Sequence, residues 1–228
     1  MWFALDRGGI QKISYGKFQS TSMGSTVNAI AQDTFRNVVW FACDNGLYCY
    51  QNNKFIENDI TKFCKNMRIR HVGVTSDGAI LLNCYEKYDQ IKVNLDGKIE
   101  LWNKSNGLAG DKSRISIQLK NGDLYSGTTT GLSIINQKTG VITNISKSDG
   151  LDSEFIMCLY EDDDGSVWFG TDGGGVYVLD SVTKKITRKI TKNDGLAGEN
   201  IPWIARIIGV ADAMIKLIES DIHYVMHE

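Results

Sequence analysis

The chain has 228 residues, 42% hydrophobic and 23% charged, which is enough apolar material for a buried core of ordinary globular size. Lys and Arg number 25 against 27 Asp and Glu, and no segment concentrates the basic residues. The net charge of −2 therefore gives no basis for a nucleic-acid partner or for contact with an anionic membrane.

The 23 glycines and single proline, Pro202, point to short strands joined by tight turns. The five cysteines, Cys43, Cys49, Cys64, Cys84 and Cys158, include no C-x-x-C pair, so they read as small buried residues rather than disulfide or zinc partners. Met1 to Arg7 lacks a basic segment followed by an apolar run, and no stretch approaches about 18 uninterrupted apolar residues. Neither a signal peptide nor a membrane span is expected.

In chain order, Trp2-Phe3-Ala4 and Gly9-Ile10-Gln11-Lys12-Ile13 read as the second and third strands of a unit lacking its first. Val39-Trp40-Phe41-Ala42-Cys43 and Gly46-Leu47-Tyr48-Cys49-Tyr50 repeat that pair. Asp77-Gly78-Ala79-Ile80-Leu81-Leu82, followed by Ile91-Lys92-Val93-Asn94, is a weaker copy, and Gly122 to Thr128 with Gly131 to Asn136 a stronger one. The clearest copy spans Glu154 to Ile190. Its strands are Phe155 to Tyr160, Ser166 to Thr171, Val176 to Asp180 and Ile186 to Ile190, divided by the turns Glu161 to Gly165, Asp172 to Gly175 and Ser181 to Lys185. Every connection is short, so the four strands form an antiparallel meander. Ile201 to Ile208 reads as one more first strand, and the apolar spacing of Val210, Met214, Leu217, Ile218 and Ile222 predicts a helix within 209–228.

Two markers keep one period. The bulky second-strand residue falls at Trp2, Trp40, Leu81, Tyr125 and Trp168, and the glycine of an (N/D)-G-L motif at Gly107, Gly150 and Gly195. A repeat of about 43 residues whose unit cannot bury both of its faces alone must stack. The expected class is all-β, a β-propeller of four-stranded antiparallel blades. Whole blades fall at about 25–58, 67–102, 111–145 and 154–190, with Trp40, Tyr125 and Trp168 packed between neighbours. If 201–208 joins 2–20 as a composite blade there are five blades; otherwise the chain is part of a seven-bladed propeller.

Ile156 to Asp180, with Glu161-Asp162-Asp163-Asp164-Gly165-Ser166-Val167-Trp168-Phe169-Gly170-Thr171 at its centre and Asp149-Gly150-Leu151 before it, resembles the two-component regulator propeller repeat. The resemblance covers residues 1–200, strongest in the last full repeat and weakest around 67–102, as a partial or truncated copy of that family's domain. It implies the sensing region of bacterial receptors that continue into histidine kinase or diguanylate cyclase modules. By resemblance, the ligand is a polar small molecule such as a glycan. The chain as written is cytoplasmic, and extracytoplasmic if it is a fragment of such a receptor.

Chemistry is harder to find. His223 and His227 are four apart, a helical metal spacing, but no Glu lies between them, so they read as surface residues. His71 reads as a strand residue, and Glu161 to Gly165 as a solvated turn rather than a calcium loop. No cofactor, metal or catalytic residue is assigned. In a meander, the loop after each second strand shares a rim with the linker between blades. That rim gathers the candidate ligand residues Asp111, Lys112, Thr129, Thr130, Asp152, Ser153, Glu154, Asp172, Glu199 and Asn200. A non-catalytic ligand-sensing propeller is the first reading, a protein-interaction propeller the second, and a virginiamycin-type lyase the third.

Overall fold

A computed structural model describes the backbone of residues 2–5, 9–14, 17–85, 88–206, 214–218 and 222–226, and the side chains of residues 20–85 and 88–205. The chain is all-β and divides into two compact units, Met1–Asn103 and Lys104–Glu228. Among the described residues no helix is long and apolar enough to cross a membrane.

In the first unit, β1 (Trp2–Leu5), β2 (Gly9–Ser14) and β3 (Lys17–Thr21) form a three-stranded sheet. The next blade is a four-stranded antiparallel meander of β4 (Val27–Asp33), β5 (Val38–Cys43), β6 (Gly46–Gln51) and β7 (Lys54–Ile56). A short helix, α1 (Asp59–Phe63), fills the connection, with Asn58 and Thr61 forming a reciprocal capping box at its start. The second blade comprises β8 (Ile69–Val74), β9 (Ile80–Cys84), β10 (Gln90–Val93) and β11 (Ile99–Trp102).

The second unit repeats the plan. One blade comprises β12 (Ser113–Gln118), β13 (Leu124–Thr128), β14 (Gly131–Ile135) and β15 (Ile142–Ile145). The other comprises β16 (Ile156–Glu161), β17 (Ser166–Thr171), β18 (Val176–Asp180) and β19 (Ile186–Ile190). A three-stranded sheet of β20 (Ile204–Arg206), β21 (Met214–Ile218) and β22 (Ile222–Met226) ends the chain.

At the ends, β1 pairs with β2 and β20 with β21. A strand a few residues away in sequence is the cheaper partner to reach. One expectation is corrected: the tail is not helical where it is described, since 214–218 and 222–226 form an antiparallel hairpin. Ile215, Ile218, Ile222 and Val225 are β-branched, and a short apolar run that fits a 3.6-residue period also fits a strand. The remainder of 209–228, including His227, lies outside the described residues.

Strand alternation stacks the blades. On β5, Trp40 and Ala42 enter a core with Ile69, Ile80, Leu82 and Ile91 of the second blade. Phe41 and Cys43, one residue out of phase, enter a separate core with Met23 and Val27. On β17, Val167 and Phe169 pack with Tyr125, Leu132 and Ile134 of the blade before it, while Trp168 joins Leu196, Ile201 and Ile204 on the other face. These two blades thus bury both of their faces against neighbouring segments of their own units.

Polar staples fix the stack at the end away from the linkers. Asp33, closed from solvent, accepts hydrogen bonds from Trp40 Nε1 at 3.0 Å, the Arg36 N–H at 3.0 Å and Arg36 Nη1 at 2.8 Å. Arg36 also donates to the Gly78 carbonyl at 2.7 Å and the Asn94 carbonyl at 3.3 Å, both on turns of the next blade. Burial alone raises the Asp33 carboxyl, but the Trp40 and Arg36 donors outweigh it and hold it below the ordinary carboxylate value. In the second unit Lys184 Nζ reaches back one blade, to Asp123 Oδ2 at 2.9 Å and Tyr125 Oη at 3.0 Å. Two of the third strands, β6 and β14, open on glycine, at β14 for a steric reason. Gly131 has φ +135°, and a Cβ there would sit 2.7 Å from the Ile145 carbonyl oxygen.

His71 on β8 lies with Nδ1 3.3 Å from Asn83 Oδ1 on β9. Burial pushes its pKa down to about 4, against a smaller opposing effect of the Asn83 bond. The five cysteines are buried free thiols. Burial raises all of them, Cys49 to about 11 and Cys43, Cys64, Cys84 and Cys158 to about 12.

Three outcomes are expected from this packing. In urea unfolding, Asp33→Ala should cost about 3 kcal/mol, because it strands a half-buried guanidinium and a buried indole N–H together, and Trp40→Phe should cost less. A folded pKa of about 4 against an unfolded value of about 6.5 makes the His71 contribution complete above pH 6.5. It is lost as pH falls toward 4, so thermal melts should show an acid-side decline that His71→Gln flattens. Ellman's reagent at pH 8 should titrate all five thiols in denaturant and none at a comparable rate in the folded protein.

Candidate functional site

One irregularity recurs in every whole blade. The pairing of first and second strands slips between Val27 and Ala29, Ile69 and His71, Ser113 and Ile115, and Ile156 and Cys158. Each slip is a β-bulge next to the start of the first strand, and its extra residue is Asn28, Arg70, Arg114 or Met157. A bulged residue sits outside the ladder, so its side chain is re-aimed instead of alternating in and out of a core. Just beyond the bulge, the first residue after the second strand donates its N–H to the residue before the first strand. These bonds are Asp44 to Thr26 at 3.2 Å, Tyr85 to Arg68 at 3.2 Å, Thr129 to Lys112 at 3.1 Å and Asp172 to Phe155 at 2.9 Å. In each unit, linker and second turn are therefore tied into a rim at the bulged end.

In the second unit this rim holds the sequence-derived candidates, eight of which are tied into two groups. Asp111, Lys112, Thr129 and Thr130 come together through the Thr129–Lys112 bond and through Thr130 Oγ1, which donates to the Ala109 carbonyl at 2.9 Å. Ser153, Asp172, Glu199 and Asn200 form the other group. Ser153 Oγ donates to the Asp172 carbonyl, the Gly173 N–H to the Glu199 carbonyl at 2.9 Å, and Asp172 bridges to Asn200. Arg114, at its bulge, lies over the Phe155 ring at 5.6 Å.

Three carboxylates among the ten candidates have structural work. The D-G-L motifs are single 3₁₀ turns closed by reciprocal caps, Ser146 with Asp149 and Thr191 with Asp194. Glu154 Oε1 accepts the Lys147 N–H at 2.9 Å and Glu199 Oε1 the Lys192 N–H at 3.2 Å, so each carboxylate clamps the turn that precedes it. Asp152 forms an ion pair with Lys189. Asp111, Lys112, Asp172 and Asn200 present exposed side chains, and Thr129 a half-buried one. The acidic run at 161–165 is a turn, and Glu161 accepts the Lys120 N–H of the neighbouring blade at 2.9 Å through Oε2.

In the first unit the rim carries residues that sequence reasoning missed. Asp44 Oδ1 receives Asn28 Nδ2 at 2.8 Å and Arg68 Nε at 3.2 Å, with Arg70 Nη1 3.5 Å away. Both guanidiniums lie against the Tyr85 ring, 5.6 and 5.4 Å from its centroid. Burial raises the Asp44 carboxyl, but the Asn28 amide and the two guanidiniums outweigh it and hold it below the ordinary value. A signal existed. Asp44 and Tyr85 occupy the repeat position of Thr129 and Asp172, and Arg68 that of Lys112. The bulge itself shows as a three-residue spacing of buried positions, Ile69 to Val72 and Ser113 to Ser116, where an unbroken strand would give two. The site can offer guanidinium, ammonium, amide, hydroxyl and carboxylate groups to a polar ligand. His71 lies within the sheet, bonded to Asn83, and His223 sits on β22.

Residues 150–173 match the family described as Two component regulator propeller. No curated protein matches the chain in sequence. Among solved structures, the extracellular domain of a putative hybrid two component system from B. thetaiotaomicron is similar at TM-score 0.68 and 17% identity, covering 98% of this chain and 38% of its own. Virginiamycin B lyase from Staphylococcus aureus is similar at TM-score 0.66 and 14% identity, covering 96% of this chain and 76% of the lyase. PorZ, a bacterial surface component of the type-IX secretion system of Porphyromonas gingivalis, is similar at TM-score 0.55 and 13% identity, over 92% of this chain and 42% of PorZ. The chain thus spans well under half of the two component system domain it matches. Identities this low speak to fold, and fold and matched motif agree: the chain is a β-propeller that carries a two component regulator propeller repeat at residues 150–173.

Proposed function

We propose that the chain is a non-catalytic ligand-binding propeller, part of the extracytoplasmic sensing region of a bacterial receptor, and that its ligand is a polar small molecule such as a glycan. The observation that carries this reading is the repeated bulge. Each of the four blades places its extra first-strand residue at the bulged rim of its own unit, and three of the four are Asn28, Arg70 and Arg114, polar side chains outside the apolar cores. A loop-built polar rim on a rigid β scaffold is where such folds place recognition. The matched repeat and the likeness to an extracellular two component system domain support the sensor assignment.

The lyase reading has less behind it. His71 is the one histidine with a described side chain, and it is half-buried and bonded to an amide rather than poised beside an acid. A protein partner is the second reading. It draws on Phe35 and Leu95, 51% and 54% exposed, which stand on the turns that Arg36 ties together at the end away from the bulges.

The test is a thermal-shift screen of the 228-residue chain against soluble oligosaccharides and small polar metabolites. A ligand at about 100 times its Kd should stabilise the fold by about 2.7 kcal/mol. Lys112→Ala and Asp172→Ala should weaken binding by about tenfold or more, while leaving the ligand-free melting temperature within about 2 °C of the parent. Ligands whose affinity ignores both substitutions would remove this rim from consideration. A protein captured through Phe35 and Leu95 would favour the second reading.

A further inference from the structure

The first blade differs from the other whole blades in its outer strand. β11 pairs along the full length of β10, and β15 and β19 each pair along four residues of β14 and β18. β7 pairs only with Cys49, Tyr50 and Gln51 of β6. Gly46, Leu47 and Tyr48 have no outer strand beside them, because the chain leaves at Glu57 and the Asn58–Thr61 capping box turns it into α1. The open edge, the end of β7 and α1 together line a cleft of about 330 Å³. That volume lies near the lower end of the range for small-molecule sites.

The cleft combines an aromatic wall with a charged one. Tyr48 and Phe55 meet edge to face with ring centroids 6.4 Å apart, and Phe55 stays 36% exposed, which leaves aromatic surface open to solvent. The charged wall is Glu57, Lys62 and Lys65. Lys62 Nζ stands 3.8 Å from Glu57 Oε1, beyond hydrogen-bond range, and the two side chains are 60% and 72% exposed. Such a pair contributes little to folding. Among the described residues these three side chains make no hydrogen bond, and Lys65 forms no ion pair. Asn45, on the turn that opens β6, also lines the cleft, and its side-chain oxygen is closed from bulk water yet accepts no hydrogen bond. The fold thus leaves polar capacity at this cleft that it does not itself use.

We propose that this cleft binds a free α-amino acid with an apolar side chain. The ammonium and carboxylate of such a zwitterion are carried on one carbon, so they suit an opposite pair held 3.8 Å apart. The carboxylate takes Lys62 and Lys65, the ammonium takes Glu57, and the side chain covers Tyr48 and Phe55. Two opposite groups at short distance match this ligand whatever the net charge of the region. The site belongs to the first unit and does not rest on the second-unit rim proposed above.

Isothermal titration of the 228-residue chain separates the outcomes. The probes are L-phenylalanine, N-acetyl-L-phenylalanine and L-phenylalaninamide. The acetyl derivative lacks the ammonium, as a peptide C-terminus does, and the amide lacks the carboxylate, as a peptide N-terminus does. L-phenylalanine should bind with a Kd of about 1 mM or tighter, and about tenfold or more ahead of either derivative. L-leucine should bind comparably and L-alanine more weakly, for want of apolar surface. Glu57→Gln should remove the preference over the acetyl derivative and keep that over the amide. Lys62→Gln combined with Lys65→Gln should do the reverse. All three residues are exposed, so the melting temperatures should stay within about 2 °C of the parent. A general loss of structure does not produce that crossed pattern. No binding of L-phenylalanine or L-leucine would overturn the proposal. So would equal or tighter binding of either derivative, which points to a peptide end instead, or affinities that the substitutions leave unmoved.

Discussion

A four-stranded sheet with two apolar faces cannot stand alone in water, and the rest of this molecule obeys that constraint. Trp40 and Phe41 are neighbours in sequence, yet they lie in different cores on opposite faces of one blade. Val167, Trp168 and Phe169 divide in the same way, two toward the blade before and one toward the segment after. Burial of these side chains is worth several kcal/mol apiece against truncation, far more than any surface ion pair present. Turns and staples then serve to hold the spacing that the cores need. Arg36 and Lys184 each cross from one blade to the next, and β14 opens on Gly131 because no side chain fits between strand and linker.

The rim begins where this packing stops. Next to the start of each first strand the ladder slips by one residue, and the displaced side chain is released from the inward and outward alternation that governs its neighbours. The linker opposite is not loose. In the second unit a 3₁₀ turn closed by reciprocal caps, and clamped by Glu154 or Glu199, delivers the chain to the next strand at a fixed height. Recognition groups are thereby mounted on backbone whose geometry is determined elsewhere. The preorganisation that binding demands is already met by the fold.

Much of this architecture was legible in the sequence, because the glycines, the bulky second-strand residues and the D-G-L motif recur at one period. The ends were harder. The hairpin at 214–218 and 222–226 shares its apolar spacing with a helix, and the partner of β20 depends on which neighbour is nearest rather than on any local pattern. The rim was half legible. Meander topology placed Asp111, Lys112, Thr129 and Thr130 together, and likewise Ser153, Asp172, Glu199 and Asn200. It gave no means of separating carboxylates that clamp a turn, as Glu154 and Glu199 do, from those that face solvent, as Asp111 and Asp172 do. Arg70 and Asn28 escaped notice because a bulge is a change of register, and in a single strand it shows only as one irregular interval between buried residues.

The bulge also separates two demands that protein surfaces usually entangle. Asn28, Arg70, Arg114 and Met157 occupy equivalent positions and have in common neither charge, length nor polarity. The blades tolerate an amide, two guanidiniums and a thioether there without altering the cores behind them. Specificity on such a scaffold is combinatorial. Each blade contributes one interchangeable side chain to its rim, and a new ligand is reached by exchanging those letters while the grammar of the fold stays fixed.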